Sequence, residues 1–210
     1  MKIGIIGSGN VGGVLGKRWA RLGHQVVFST RRPDSEDITQ LVLEAGPTAC
    51  SATAAETVAA SDILLLATPW PATQEIVSGL GSLDGKILID ATNPLLPRLA
   101  GLEFANTTSG AEQVAGWAKG ATVVKAFNTI GNNIMEKAEF AGGVPVLFYC
   151  GDDKAAKAQV HQRAAELGFD ANDAGPLTQA RLLEPFALLW ISLAMVQGYG
   201  REMAFQLLRR

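Results

Sequence analysis

The stretch Ile5-Ile6-Gly7-Ser8-Gly9-Asn10-Val11-Gly12 decides how the rest of the chain is read. Its glycines are spaced G-x-G-x-x-G. They follow an apolar run, Lys2–Ile6, that predicts a strand. They open a helical pattern over Val11–Leu22, in which Val14, Leu15, Arg18, Trp19 and Leu22 form one stripe. In that context Gly7 allows a tight turn, Gly9 lets the backbone approach a pyrophosphate, and Gly12 lets helix and strand pack closely. The free N–H groups and positive dipole end of the helix face the same anion. The expectation is a dinucleotide cradle.

Working outward, Gly23 stops the helix and His24–Ser29 predicts the second strand. An NAD-binding unit carries an Asp or Glu about 20 residues past the glycines, where it bonds the ribose 2′-hydroxyl. Here that place holds Ser29-Thr30-Arg31-Arg32-Pro33, and the first acid, Asp34, lies beyond the proline. A hydroxyl followed by two guanidinium groups suits a 2′-phosphate, which takes permanently charged, bidentate donors. NADP(H) is therefore expected over NAD(H).

The same alternation continues. Helices are expected around Asp37–Ala45, Ala54–Ala59, Pro71–Leu80, Ala111–Ala118 and Lys154–Leu167, and from Thr178 to the end. Strands are expected at Thr48–Cys50, Ile63–Ala67, Lys86–Asp90, Thr122–Ala126, Val144–Cys150 and Phe169–Asn172. Apolar strands separated by helices argue an α/β fold, doubly wound around a mostly parallel sheet, with a C-terminal helical segment. With 210 residues and no linker, the pattern predicts a single domain. Residues 1–150 or so form its nucleotide-binding core, and 151–210 extend the sheet and add the last helix. Ligands of such sheets lie outside the C-terminal strand ends. Those ends carry Ala67-Thr68-Pro69-Trp70, Asp90-Ala91-Thr92-Asn93-Pro94 and Ala126-Phe127-Asn128-Thr129, so Thr68, Asn93 and Asn128 are candidates to meet the ribose or carboxamide.

Composition narrows the function classes. Eighteen basic against 20 acidic residues give a net charge of −2, which removes the electrostatic case for nucleic acid or an acidic membrane. Cys50 and Cys150, with His24 and His161, have no metal-ligand spacing, and two cysteines make no disulfide framework; they read as small buried residues at strand ends. The opening Met1–Ile6 does not read as a signal peptide, so none is expected, and the apolar run Pro185–Gln197 is shorter than the roughly 20 residues that span a bilayer. A cytoplasmic protein is expected. Neither histidine is placed for proton transfer, and Lys125 is the single basic candidate near the strand ends. That favours an acceptor which needs no enzymatic acid, such as a flavin or deazaflavin oriented by stacking. Two alternatives stay open: a carbonyl or imine reductase using Lys125 or a bound water, and a binding protein that senses NADP(H) without turnover.

These residues together resemble the NADPH-dependent coenzyme F420 reductase family, whose Rossmann-like fold also occurs in the cytoplasmic domain of the STEAP metalloreductases. Further matches are Val124-Lys125 ahead of Ala126, Gly151-Asp152-Asp153, Asp173-Ala174-Gly175-Pro176-Leu177 and Ala180-Arg181-Leu182-Leu183-Glu184. The resemblance implies nicotinamide meeting a deazaflavin or flavin ring with no catalytic side chain. It implies that Ser8, Asn10 and Val11 join the pyrophosphate turn, that Thr30 and Arg31 contact the 2′-phosphate, and that Arg32 assists. One position departs: F420 reductases carry His where this chain has Asn128. Finally, the last helix is apolar nearly all round. Leu182, Phe186, Leu189, Trp190, Leu193 and Val196 are expected on one face, and Ala187, Leu188, Ile191 and Met195 on another. Burial on both sides predicts a two-fold homodimer through this helix.

Overall fold

The computed structural model describes all 210 residues. Eight strands alternate with helices, and the chain divides into two compact, interleaved units. The first comprises Met1–Thr92 and Val114–Val123, the second Asn93–Gln113 and Val124–Arg210.

In the first unit, β1 (Lys2–Ile6), β2 (Gln25–Ser29), β3 (Ala49–Ala52), β4 (Ile63–Leu66) and β5 (Ile87–Asp90) form a parallel sheet in the order β3-β2-β1-β4-β5. Ile3, Ile5, Ile6 and all of Ile63–Leu66 are buried, as expected of strands covered on both faces. Helices α1 (Asn10–Arg21), α2 (Glu36–Ala45), α3 (Ala54–Ala60) and α4 (Trp70–Ser78) make the crossovers. Thr53 and Glu56 close a capping box at the start of α3. Gly16 has no Cβ for a packing reason: one there would come within 2.4 Å of the Phe28 ring, so the glycine lets α1 lie against β2.

Helix α5 (Gly110–Trp117) and strand β6 (Thr122–Lys125) each cross from one unit to the other. In the second unit β7 (Val146–Gly151) runs antiparallel to β6, with Lys125 opposite Cys150, and parallel to β8 (Asp170–Asp173). Around these strands lie a short α6 (Asn132–Glu136), α7 (Lys154–Ala165), capped by Asp153 accepting from Ala156 N–H at 2.7 Å, and α8 (Ala180–Met195). The mostly parallel α/β architecture matches the sequence expectation.

Several details correct the sequence reading. The last helix does not run to the terminus: α8 ends at Met195, and the chain returns so that Phe205 C=O accepts from Val146 N–H at 2.9 Å. The buried stripe of α8 is Ala180, Leu183, Glu184, Ala187, Trp190 and Ala194. Leu182, at 65% exposure, and Leu189, at 49%, face outward and do not share a face with Trp190. Small residues let the helix sit close to its neighbours, and the larger leucines are left outside. Cys50 is exposed, while Cys150 is buried as expected.

Candidate functional site

In the first unit the glycine turn has the shape its sequence demands. Gly7 sits at φ +100°, and a Cβ there would come within 2.6 Å of Ala67 C=O. A Cβ on Gly12 would stand 1.9 Å from Gly7 C=O and 2.9 Å from Ile5, so only glycine lets α1 start this close to β1. Gly9 is different: nothing lies within 4 Å of its Cβ position, which opens onto free space. Gly9 is also the N-cap of α1, and it brings no side chain to satisfy the first-turn N–H groups of Asn10, Val11 and Gly12. No acid occupies that turn. First-turn donors with no side-chain cap, a positive helix end and the open space at Gly9 suit a pyrophosphate.

The loop after β2 is ordered by its own hydrogen bonds. Thr30 N–H donates to Ala52 C=O at 2.9 Å, and Thr30 Oγ1 accepts from Arg32 N–H at 3.0 Å. Accepting from the backbone leaves the Thr30 hydroxyl proton available to an anion. Ser35 N–H donates to Arg32 C=O at 3.1 Å and begins α2. Ser8, Thr30, Arg31 and Arg32 line one open groove of about 710 Å³, with the facing side of α2 completing it. Glu44 on that side is clamped by Lys17 at 2.9 Å, and the ammonium holds its carboxyl below the usual carboxylate range. Both arginines are exposed to the groove. At the end of β4, Ala67 and Pro69 flank Thr68, whose buried hydroxyl lies 2.9 Å from that of Thr73. Thr73 in turn donates to Pro69 C=O at 3.1 Å, so this pair fixes the start of α4. The structure thus brings Ser8 of the glycine turn and Thr30 to Arg32 to one groove and uses Thr68 internally.

The remaining expected residues belong to the second unit. Asn93 Nδ2 donates to Asn128 C=O at 2.9 Å, and Asn128 Nδ2 donates to Asn93 Oδ1 and to Leu183 C=O, each at 3.1 Å. The two asparagines therefore lock their loops to each other. Asn128 Oδ1 is buried with no partner. The preceding Phe127 is fully buried and holds a left-handed φ of +66°.

Sequence reasoning missed the role of Glu184. Its carboxylate lies 2.9 Å from Lys125 Nζ, with the two side chains 1% and 0% exposed. Its Oε2 accepts from Gly110 N–H at 2.8 Å and its Oε1 from Ala111 N–H at 3.0 Å, capping α5. Lys125 is thus a buried structural cation and has no surface from which to protonate a substrate. Nearby, Arg181 grips Glu112 through two nitrogens, at 2.6 and 2.9 Å. On α7, His161 packs edge-on against Tyr149 of β7. The chain contains no group of three or more His, Cys, Asp or Glu arranged to hold a metal, and no helix long and apolar enough to cross a membrane.

Comparison with known proteins gives concordant results. Residues 2–94 match the family model described as NADP oxidoreductase, coenzyme F420-dependent. The chain is 32% identical over 192 residues to the rat metalloreductase STEAP3, a match that covers 89% of this chain and 36% of the relative. It is 30% identical over 138 residues to the F420-dependent NADP reductase of Methanocaldococcus jannaschii, covering 63% of this chain and 61% of that one. The chain thus spans under two thirds of either of these relatives. A crystal structure of a candidate F420-dependent NADP reductase from Arthrobacter sp. FB24 superposes over the full length of both chains, with a TM-score of 0.89 and 32% identity.

Proposed function

The chain belongs to the F420-dependent NADP oxidoreductase family, and from that premise we propose that it transfers hydride between NADP(H) and a deazaflavin (F420) or flavin-like ring without a catalytic side chain. The observation that carries this reading is the groove in which Thr30, Arg31 and Arg32 stand beside the glycine turn. Gly7, Ser8, Gly9, Asn10, Val11 and Gly12 hold the pyrophosphate through first-turn N–H groups. The Thr30 hydroxyl and both guanidinium groups hold the 2′-phosphate. Ala67, Thr68 and Pro69 border the ribose, and Asn93, Phe127 and Asn128 serve the ribose or carboxamide. NADPH, when bound, supplies the hydride. The protein's part is orientation and exclusion of water, which are large contributions in themselves. The burial of Lys125 against Glu184 speaks against Lys125 as the proton donor of a carbonyl or imine reductase and leaves the version that uses a bound water open.

The same reading includes a cytoplasmic setting and a homodimer through the outward face of α8, where Leu182 and Leu189 are exposed. Loss of NADPH absorbance on adding F420, FMN or FAD tests the activity. Turnover with one of them supports it. Binding of NADPH without turnover on any acceptor assigns the chain to the sensing class instead. Arg31→Ala tests the groove. Loss of a charge-assisted contact is worth about 1.5–3 kcal/mol, so NADPH affinity falls at least about tenfold while NADH affinity barely changes. An equal loss for both nucleotides overturns the assignment.

A further inference from the structure

We propose that Phe205 is a displaceable plug in an aromatic-ring site of the second unit, occupying the place of a planar heteroaromatic ring that carries a hydrogen-bonding edge. The proposal rests on the preceding reading only for the kind of ring. Thr129, Ile134, Phe186, Trp190 and Phe205 line a narrow slot that leaves no space wide enough for water. Thr129 is 3% exposed, and its Oγ1 has no hydrogen-bond partner. In a slot that excludes water, that hydroxyl has nothing to satisfy it, and buried polar groups of this kind call for a specific explanation. A ligand edge bearing a carbonyl or N–H supplies the missing partner.

The ring geometry points the same way. Phe205 lies 4.7 Å from Phe186, centroid to centroid, tilted by 38°, and Phe186 meets Phe148 edge-on at 6.0 Å. Phe205 therefore fills a stacking position on a fixed aromatic wall. The segment that carries it is held by hydrogen bonds, among them those of the Arg201, Glu202 and Arg209 side chains with Asn132, Asn133, Asp170 and Asn172. The segment after Met195 contains no helix or strand. Its carbonyls at Arg201, Met203 and Phe205 accept from Asn133 Nδ2, Trp190 Nε1 and Val146 N–H, at 2.8, 3.0 and 2.9 Å. On its other side Phe205 borders a second, open cavity of about 180 Å³ beside Phe140, Gly143 and Pro145, which gives the ring a place to move into.

The test uses lumiflavin, a bare ring system, titrated by fluorescence into the full chain in the absence of NADP(H). Phe205→Ala is expected to tighten binding about tenfold, and adding Thr129→Val to that variant to reverse most of the gain. Phe205→Leu, which keeps an apolar filler and guards against misfolding, is expected to fall between wild type and Phe205→Ala. Equal affinity of wild type and both Phe205 variants overturns the plug. A gain insensitive to Thr129→Val overturns the ring site, leaving only an apolar hole. Because no nucleotide is present, these outcomes are independent of whether hydride transfer occurs.

Discussion

Replacing Glu184 by leucine should cost the protein a large part of its stability, and the amount follows from the surroundings of the carboxylate. It stands 2.9 Å from a fully buried ammonium and accepts two N–H bonds at the start of α5. Removing one member of a buried ion pair costs about 3–5 kcal/mol, because the remaining charge keeps its desolvation penalty and loses the attraction that offset it. For 210 residues the unfolding entropy is about 0.44 kcal/mol/K, so the melting temperature should fall by about 7–11 °C. The informative control is the double variant Lys125→Met, Glu184→Leu. It removes both charges, so what remains is the cost of the two unpaired α5 N–H groups, which Glu184→Leu carries as well on top of its stranded ammonium, and the double variant should therefore melt above Glu184→Leu. Circular dichroism melts of wild type, both single variants and the double variant measure the coupling. A Glu184→Leu melt within about 2 °C of wild type, or a double variant melting as low as Glu184→Leu, refutes the reasoning.

Other substitutions separate binding from folding. Gly9→Ala should leave the melting temperature almost unchanged, since its Cβ meets nothing, yet weaken NADPH on calorimetry; Gly12→Ala should destabilise the fold, its Cβ falling 1.9 Å from a backbone oxygen. The Arg181 fork holds the Glu112 carboxyl below the usual carboxylate range. That contact therefore stabilises the protein above the ordinary carboxylate pKa and is lost as pH falls through the lowered one. Glu112→Gln should melt lower than wild type at neutral pH, and the two curves should converge in acid. Leu182→Glu with Leu189→Glu should shift light scattering from dimer to monomer with little change in melting temperature; an unchanged mass removes α8 from the interface.

The nucleotide end of the chain was legible because its requirements are local. Gly7 and Gly12 answer backbone needs within one turn, Gly9 leaves open space there, and Thr30-Arg31-Arg32 follow directly on a strand. The far end was less legible for physical reasons. Glu184 looks like a polar residue on an apolar helix until it meets Lys125, 59 positions away in sequence. No periodicity reports such a pair. On α8, hydrophobicity favours the leucines, whereas proximity favours Ala180, Ala187 and Ala194, so the buried stripe was assigned around the wrong axis. The candidate asparagines were found, but their mutual hydrogen bonds depend on two loops meeting. Helix α6 is only five residues long and carries too little pattern to register.

The interleaving of the two units bears on how the chain is made. The first unit needs Val114–Val123, where Lys119 C=O receives Leu83 N–H at 3.0 Å and Thr122 N–H reaches Lys86 C=O at 2.9 Å. During synthesis, the glycine turn and all five parallel strands of this unit leave the ribosome before that last piece does. They must wait, incomplete, while the intervening Asn93–Gln113 emerges. A chain cut at Thr92 would leave Leu83 N–H and Lys86 C=O without these partners.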